Sequence, residues 1–174
     1  STETVIAIPD KFSIGGVDYT THEVGGFGNA NGNNVELIQL PDTVEVFGAR
    51  AFHNCGKLAA IEIGEQVKEL NDLAFANCGK LQSIDYNAVN ASVKRSNTTS
   101  SPFESSVSNE GAVVTIGSSV EVIPDFLFYQ YNTSSSKRVM SSLIWEGNSS
   151  CKRIGTAAFR NANLPNIELP DTIE

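Results

Sequence analysis

Three cysteines and two histidines are the side chains in this sequence best suited to metal or nucleophilic chemistry, and their spacing argues against both. Zinc takes about four clustered ligands. No C-x-x-C occurs, and His22 and His53 are the only histidines. A serine nucleophile needs a base, usually His, and an acid to orient it. His53 lies inside the run Phe52–Cys55 and His22 in the N-terminal part of the chain, so no such triad is indicated. A glycosidase pair requires two carboxyls about 5–10 Å apart, one with a raised pKa, and nothing marks a pair among the twenty acids. The glycines of "GGFGNANGNN" (Gly25–Asn34) have neither the G-x-G-x-x-G order nor the spacing that cradles phosphate, and read as a loop. The chain is therefore read as non-enzymatic, with no catalytic residue, cofactor or metal site.

The elements that carry these residues repeat. "IELPDTIE" (Ile167–Glu174) nearly restates "IQLPDTVE" (Ile38–Glu45). "LAAIEIGEQVKELNDLAFANCGK" (Leu58–Lys80) lies under "VELIQLPDTVEVFGARAFHNCGK" (Val35–Lys57) at one offset of 23 residues. That alignment places Ile61 under Ile38, Ile63 under Leu40, Val67 under Val44, Phe75 under Phe52 and Cys78 under Cys55. Leu81, Ile84 and Tyr86 open a third unit whose aromatic arrives late, at Phe103. Val114, Ile116, Val120, Ile123, Phe126 and Phe128 mark a fourth, and Leu143, Trp145, Cys151, Ile154 and Phe159 a fifth. Leu164, Ile167, Leu169 and Ile173 begin a sixth, while "VIAIPD" (Val5–Asp10) reads as the tail of an earlier strand.

Within a unit, the "IxI" or "IxL" segment alternates apolar and polar residues, a strand signal. "ARAFHNC" and "DLAFANC" are too short for a stable helix alone and suit a helical or 3₁₀ turn. One strand and one turn cannot bury an apolar face unaided, so units must stack and share a core, with strands in a parallel sheet. Phe52, Phe75, Phe103, Phe128 and Phe159 are expected to form an internal stack.

These residues resemble the BspA-like leucine-rich repeats of bacterial surface proteins. "VEVFGARAFHNCGKL" and "CKRIGTAAFRNANL" carry the signature closely, "VEVIPDFLFYQ" more loosely. The resemblance implies an α/β leucine-rich-repeat solenoid of short parallel strands and helical or 3₁₀ turns. Residues 35–174 would form one continuous solenoid, with residues 1–34 an N-terminal partial repeat carrying a hairpin insertion. "IPDKFSIGGVDYTTHEVGGF" (Ile8–Phe27) is similar to that insertion, with Gly15-Gly16 supplying its turn. Thr21 stands where the family more usually has Val. The family further implies a bacterial surface or extracellular location, and attachment to host matrix proteins and to other bacteria.

Three cysteines cannot all pair within one chain. Cys55 and Cys78 recur at one repeat position, which reads as small buried thiols, while strands about 5 Å apart leave a Cys55–Cys78 bridge open. Cys151 occupies a Val position. Between the core residues of each strand, Gln39, Glu62, Asp85, Thr115, Ile144 and Glu168 point outward. They form a candidate ligand-binding column, flanked by Leu37, Ala60, Ser83, Val113, Ser142 and Asn166. Half of the column is acidic, which favours a basic or hydrogen-bond-donating partner, a protein or a glycan. Two insertions, "NASVKRSNTTSS" (Asn90–Ser101) and "YNTSSSKR" (Tyr131–Arg138), are Ser/Thr/Asn-rich loops with a Lys-Arg pair each and form a second candidate surface. Sequons stand at Asn90, Asn97, Asn132 and Asn148 and carry no consequence in a bacterial protein.

A net charge of −8 argues against nucleic acid. No stretch approaches the roughly 20 apolar residues of a membrane helix, and the first residues show no signal peptide. Two functions compete: a recognition or adhesion module, and a structural spacer that presents another domain. Were these residues the whole chain, an open repeat end would favour end-to-end self-association.

Overall fold

Each coil is built from side chains that recur one turn of the solenoid later, so every strand pairs with its own counterpart. The computed structural model describes residues 5–27, 34–105, 110–131, 140–164 and 166–174, which form fourteen short strands. Most of Gly25–Asn34, and Tyr131–Arg138 from residue 132 onward (including the Asn132 sequon), lie outside the described residues.

Two walls of parallel strands wind along the chain. The first contains β1 (Val5–Ala7) beside β5 (Leu37–Gln39), then the four-stranded run β7 (Ala60–Ile63), β9 (Ser83–Tyr86), β11 (Ala112–Ile116) and β13 (Met140–Trp145). The second contains β4 (Glu23–Val24), β6 (Val46–Phe47), β8 (Glu69–Asn71) and β10 (Ser92–Lys94), with β12 (Val122–Ile123) and β14 (Arg153–Ile154) pairing farther along. The sequence pattern predicts only one strand per unit. The second is two or three residues long, too brief to show alternation, and its ladder partners lie in neighbouring coils.

Inward residues of both walls meet in one core. Ile38, Ile61, Ile84 and Val114 line it from the first wall, Phe47, Leu70 and Ile123 from the second, all buried. The expected phenylalanine stack closes the third side and begins one coil earlier, at Phe27. Ring centroids follow at 5.4 Å (Phe27–Phe52), 5.6 Å (Phe52–Phe75), 5.0 Å (Phe75–Phe103), 5.2 Å (Phe103–Phe128) and 5.6 Å (Phe128–Phe159). Interplanar angles of 11–28° keep the rings nearly parallel. Each such contact contributes about 0.5–1.5 kcal/mol beyond simple burial.

The turns that hold this stack form no helix; of the expected helical or 3₁₀ turns they keep isolated i→i−3 bonds. Ala51, His53 and Cys55 donate their N–H groups back within the turn, to Gly48, Arg50 and Phe52 carbonyls. The alternate residues Arg50, Phe52 and Asn54 donate instead to Asp72, Ala74 and Ala76 in the next coil. A helix would need every N–H for itself. Left-handed residues enforce the pattern: Arg50 and Asn54 have φ of 57° and 63°, Leu73 and Asn77 56° and 60°. Asn54, Asn77 and Asn161 share one repeat position, and Asn tolerates this region better than other non-glycine residues.

All three cysteines are free and buried, so the Cys55–Cys78 bridge is not formed. Cys78 Sγ donates to the Phe52 carbonyl at 3.2 Å. Hydrogen bonding to Cys55, together with burial, pushes the Cys78 thiol well up, which keeps it protonated and inert.

The hairpin β2 (Lys11–Ile14) and β3 (Val17–Thr20) turns at Gly15-Gly16, both at positive φ. It buries nothing: Phe12, Ile14, Val17 and Tyr19 stay 44–63% exposed. At its base Thr21 is buried and its hydroxyl donates to the Pro9 carbonyl at 2.7 Å.

Candidate functional site

The outward residues of the first wall form a straight row. Parallel register sets Glu62 opposite Asp85, Asp85 opposite Thr115 and Thr115 opposite Ile144. Beside them Ala60, Ser83, Val113 and Ser142 align in the same way. Glu62 is exposed and accepts from Asn87 Nδ2 at 3.3 Å; Asp85 and Thr115 are half-buried; Ile144 stands out into solvent.

Two members of the predicted column depart from it. Gln39 lies on β5, opposite Ala7 of β1, and β5 forms no ladder with β7. Glu168 follows Ile144 in sequence logic but belongs to no strand; its backbone carbonyl accepts from Trp145 Nε1 at 2.9 Å. Four of the six residues are thus ladder neighbours, and the other two flank them.

Between β5 and β7 the wall opens into a cavity of about 390 Å³. The coils remain joined at its two ends, by Ala59 N–H to the Glu36 carbonyl at 3.1 Å and Lys68 N–H to the Glu45 carbonyl at 2.8 Å. Its floor is Ile38, Val44, Phe47, Ile61 and Val67, and its rim carries Asp42, Glu62 and Asp85. Nothing in the alternation of apolar and polar residues signals this opening, because the side chains on either bank keep the repeat pattern.

Electrostatics separate the two walls. On the second, Glu45 is bound by Lys68 Nζ at 2.7 Å, and Glu69 by Lys94, each lysine reaching from the next coil. These lysine hydrogen bonds hold both glutamates below the usual carboxylate range. On the first, Glu62 and Asp85 stand side by side, and among the described residues neither has an ion-pair partner. Like charges directly opposite on paired strands destabilise the sheet.

The BspA-type leucine-rich repeat model matches residues 27–143 and 140–174, with six copies. The chain belongs to the BspA-type leucine-rich repeat family. Among solved structures, this BspA-type chain is similar to a leucine-rich cell surface protein from Faecalibacterium prausnitzii A2-165. That similarity has a TM-score of 0.53 at 22% identity, over 93% of this chain and 46% of the other. The chain therefore spans less than half of that protein. A leucine-rich repeat protein from Bacteroides ovatus ATCC 8483 gives a TM-score of 0.46 at 16% identity, over 98% of this chain and 76% of that one. The pneumococcal vaccine antigen PcpA gives 0.42 at 16%, over 98% and 62%. No curated protein matches the chain.

The first BspA-type insertion does not offer the free cations its composition suggests. Lys94 is engaged by Glu69, and the Arg95 guanidinium lies 4.0 Å from the Phe126 ring centroid and 5.1 Å from that of Tyr129. Arg95 Nε also donates to the Ser100 carbonyl. Both cations hold the loop onto the solenoid. The histidines are peripheral to the row as well: His22 Nδ1 lies 3.7 Å from Glu45, and burial and Arg50 lower the pKa of His53.

Proposed function

We propose that this chain is a non-enzymatic recognition module on a bacterial cell surface, which binds a protein or glycan partner through its first wall. The observation that carries the reading is the Glu62–Asp85 pair, in register on an open sheet face and without an ion-pair partner among the described residues, while Glu45 and Glu69 of the second wall are paired with lysines. A partner that brings positive charge or donors relieves a repulsion the fold leaves standing. Solenoids commonly recognise partners over such extended faces. A spacer role is the second reading, and the unbroken stack from Phe27 to Phe159 favours it, since such a spine suits a rigid rod.

One experiment separates them. The intact chain and its Glu62→Lys/Asp85→Lys/Glu168→Lys variant are applied to immobilised matrix proteins and a glycan array, with circular dichroism to verify folding. The recognition reading expects a partner captured by the intact chain and lost by the folded variant. Equal capture by both would remove the face from the interface, and capture by neither would leave the spacer.

A further inference from the structure

We infer that the opening between β5 and β7 is a socket for a cationic side chain, best an arginine, presented by a protein partner. The inference rests on the recognition reading above and names the chemistry its ligand must have.

The opening is a failure of backbone pairing, not of side-chain fit. One coil later, Asn87 N–H donates to the Ile63 carbonyl at 2.8 Å and closes the β7–β9 pair. The equivalent positions are Gly64 and Leu40, each just past the end of its strand, and those two strands, β7 and β5, share no ladder. Gln39 gives its carbonyl to Ile8 N–H, on the β1 side. By the alternation of a parallel ladder, the backbone groups of Ile38 and Leu40 therefore point the other way, into the opening. Those of Ala60 and Glu62 face them from β7. Such groups require partners, and a ligand with many donors can supply them to the carbonyls.

Size decides between a strand and a side chain. An inserted strand would hold β5 and β7 two strand spacings apart, about 9.5 Å. The hydrogen bonds from Ala59 to Glu36 and from Lys68 to Glu45 pin the two coils at single-strand distance at either end. Only a side chain fits. The apolar floor of Ile38, Val44 and Ile61 suits a methylene stem, as long cationic side chains pack their stems on apolar surface. The rim then sets the charge: Asp42, Glu62 and Asp85 line it, and among the described residues no lysine, arginine or histidine does. A planar guanidinium with five donors matches paired carboxylates and nearby carbonyls better than an ammonium does. A neutral glycan would leave the carboxylates unneutralised.

The test uses the full chain, isotope-labelled, titrated with N-acetyl-Gly-Arg-Gly-amide and, separately, with its citrulline counterpart, which keeps the shape and removes the charge. The socket predicts saturable amide shifts at Ile38, Leu40 and Ala60–Gly64, half-complete at millimolar peptide, and none with citrulline. Glu62→Gln/Asp85→Asn should weaken the titration about tenfold or more, as expected when charge-assisted bonds are lost. Gly64→Leu provides a second, charge-neutral block, because a Cβ at Gly64 starts in open space beside the cavity. It should abolish the shifts, and the spectra themselves report whether each variant folds. Equal shifts with citrulline, shifts outside the opening, an undiminished titration in both variants, or no saturation would each overturn the socket. If the peptide fails while the array captures a partner sensitive to charge reversal, the socket falls and the recognition face stands.

Discussion

The two strand walls of one solenoid treat their acids in opposite ways. On the second, Glu45 and Glu69 each receive a lysine from the following coil, so charge repeats along with the coil and is neutralised by it. On the first, Glu62 faces Asp85 and neither has an ion-pair partner among the described residues, and the seam beside them is open. Both walls bury equivalent apolar residues against one core, so packing does not explain the difference. Glu45 and Glu69 of the second wall are neutralised from within the chain, and on the proposed reading the acids of the first are neutralised by a partner.

The largest effect should be one that ignores the distinction. Phe75 stacks on Phe52 and Phe103 and touches Phe47, and it is fully buried. Phe75→Ala should cost about 3–5 kcal/mol, measured by chemical denaturation, and should degrade both walls together. A cost below about 1 kcal/mol would mean the stack does not organise the coil.

Tyr86 sharpens the comparison from inside the first wall. Its ring is buried and its hydroxyl has no hydrogen-bond partner among the described residues; burial raises its pKa above the ordinary phenol value. Tyr86→Phe removes an orphaned polar group and should stabilise by about 1 kcal/mol or more. Destabilisation would show that the hydroxyl is satisfied.

Asp85→Asn should be smaller and should depend on salt. Relieving the pair with Glu62 should raise stability by a few tenths of a kcal/mol, shrinking as salt is added. Lys68→Ala on the second wall should move the melting temperature slightly in the opposite direction. If both variants shift it the same way, the contrast between the walls is not electrostatic.

The smallest effect concerns acid. Glu45 and Glu69 have folded pKa values below their unfolded ones, so their contribution is present above the unfolded value and is lost as pH falls through the folded one. Melting temperature should therefore dip below about pH 4.5, and Glu69→Gln should flatten part of that dip. An unchanged acid limb in the variant would count against the Lys94 pair as its source.

How much of this could be read from the residues follows from what repeats. The 23-residue offset and the Phe52–Phe75–Phe103–Phe128–Phe159 spine were legible because a shared core demands the same side chain in each coil. So was the row Glu62–Asp85–Thr115–Ile144, since alternation along a strand dictates which residues face out. The absence of any longer helix in the turns is not legible, because the residues that interrupt it, Arg50 and Leu73, are not glycine and announce no left-handed backbone. The pairing of Lys94 and the stacking of Arg95 were hidden in a loop whose composition looks solvated. The seam left no trace at all, because a missing backbone ladder changes no side-chain pattern.

On the proposed reading the first wall, and not the turn side, is the recognition surface. The most direct test is amide chemical-shift mapping of the chain with a partner captured on the array. Recognition by the first wall should concentrate the shifts at Leu37–Gln39, Ala60–Ile63, Ser83–Tyr86, Ala112–Ile116 and Met140–Trp145. Shifts confined to the turn residues 49–56 and 72–79, with the first wall unmoved, would contradict it.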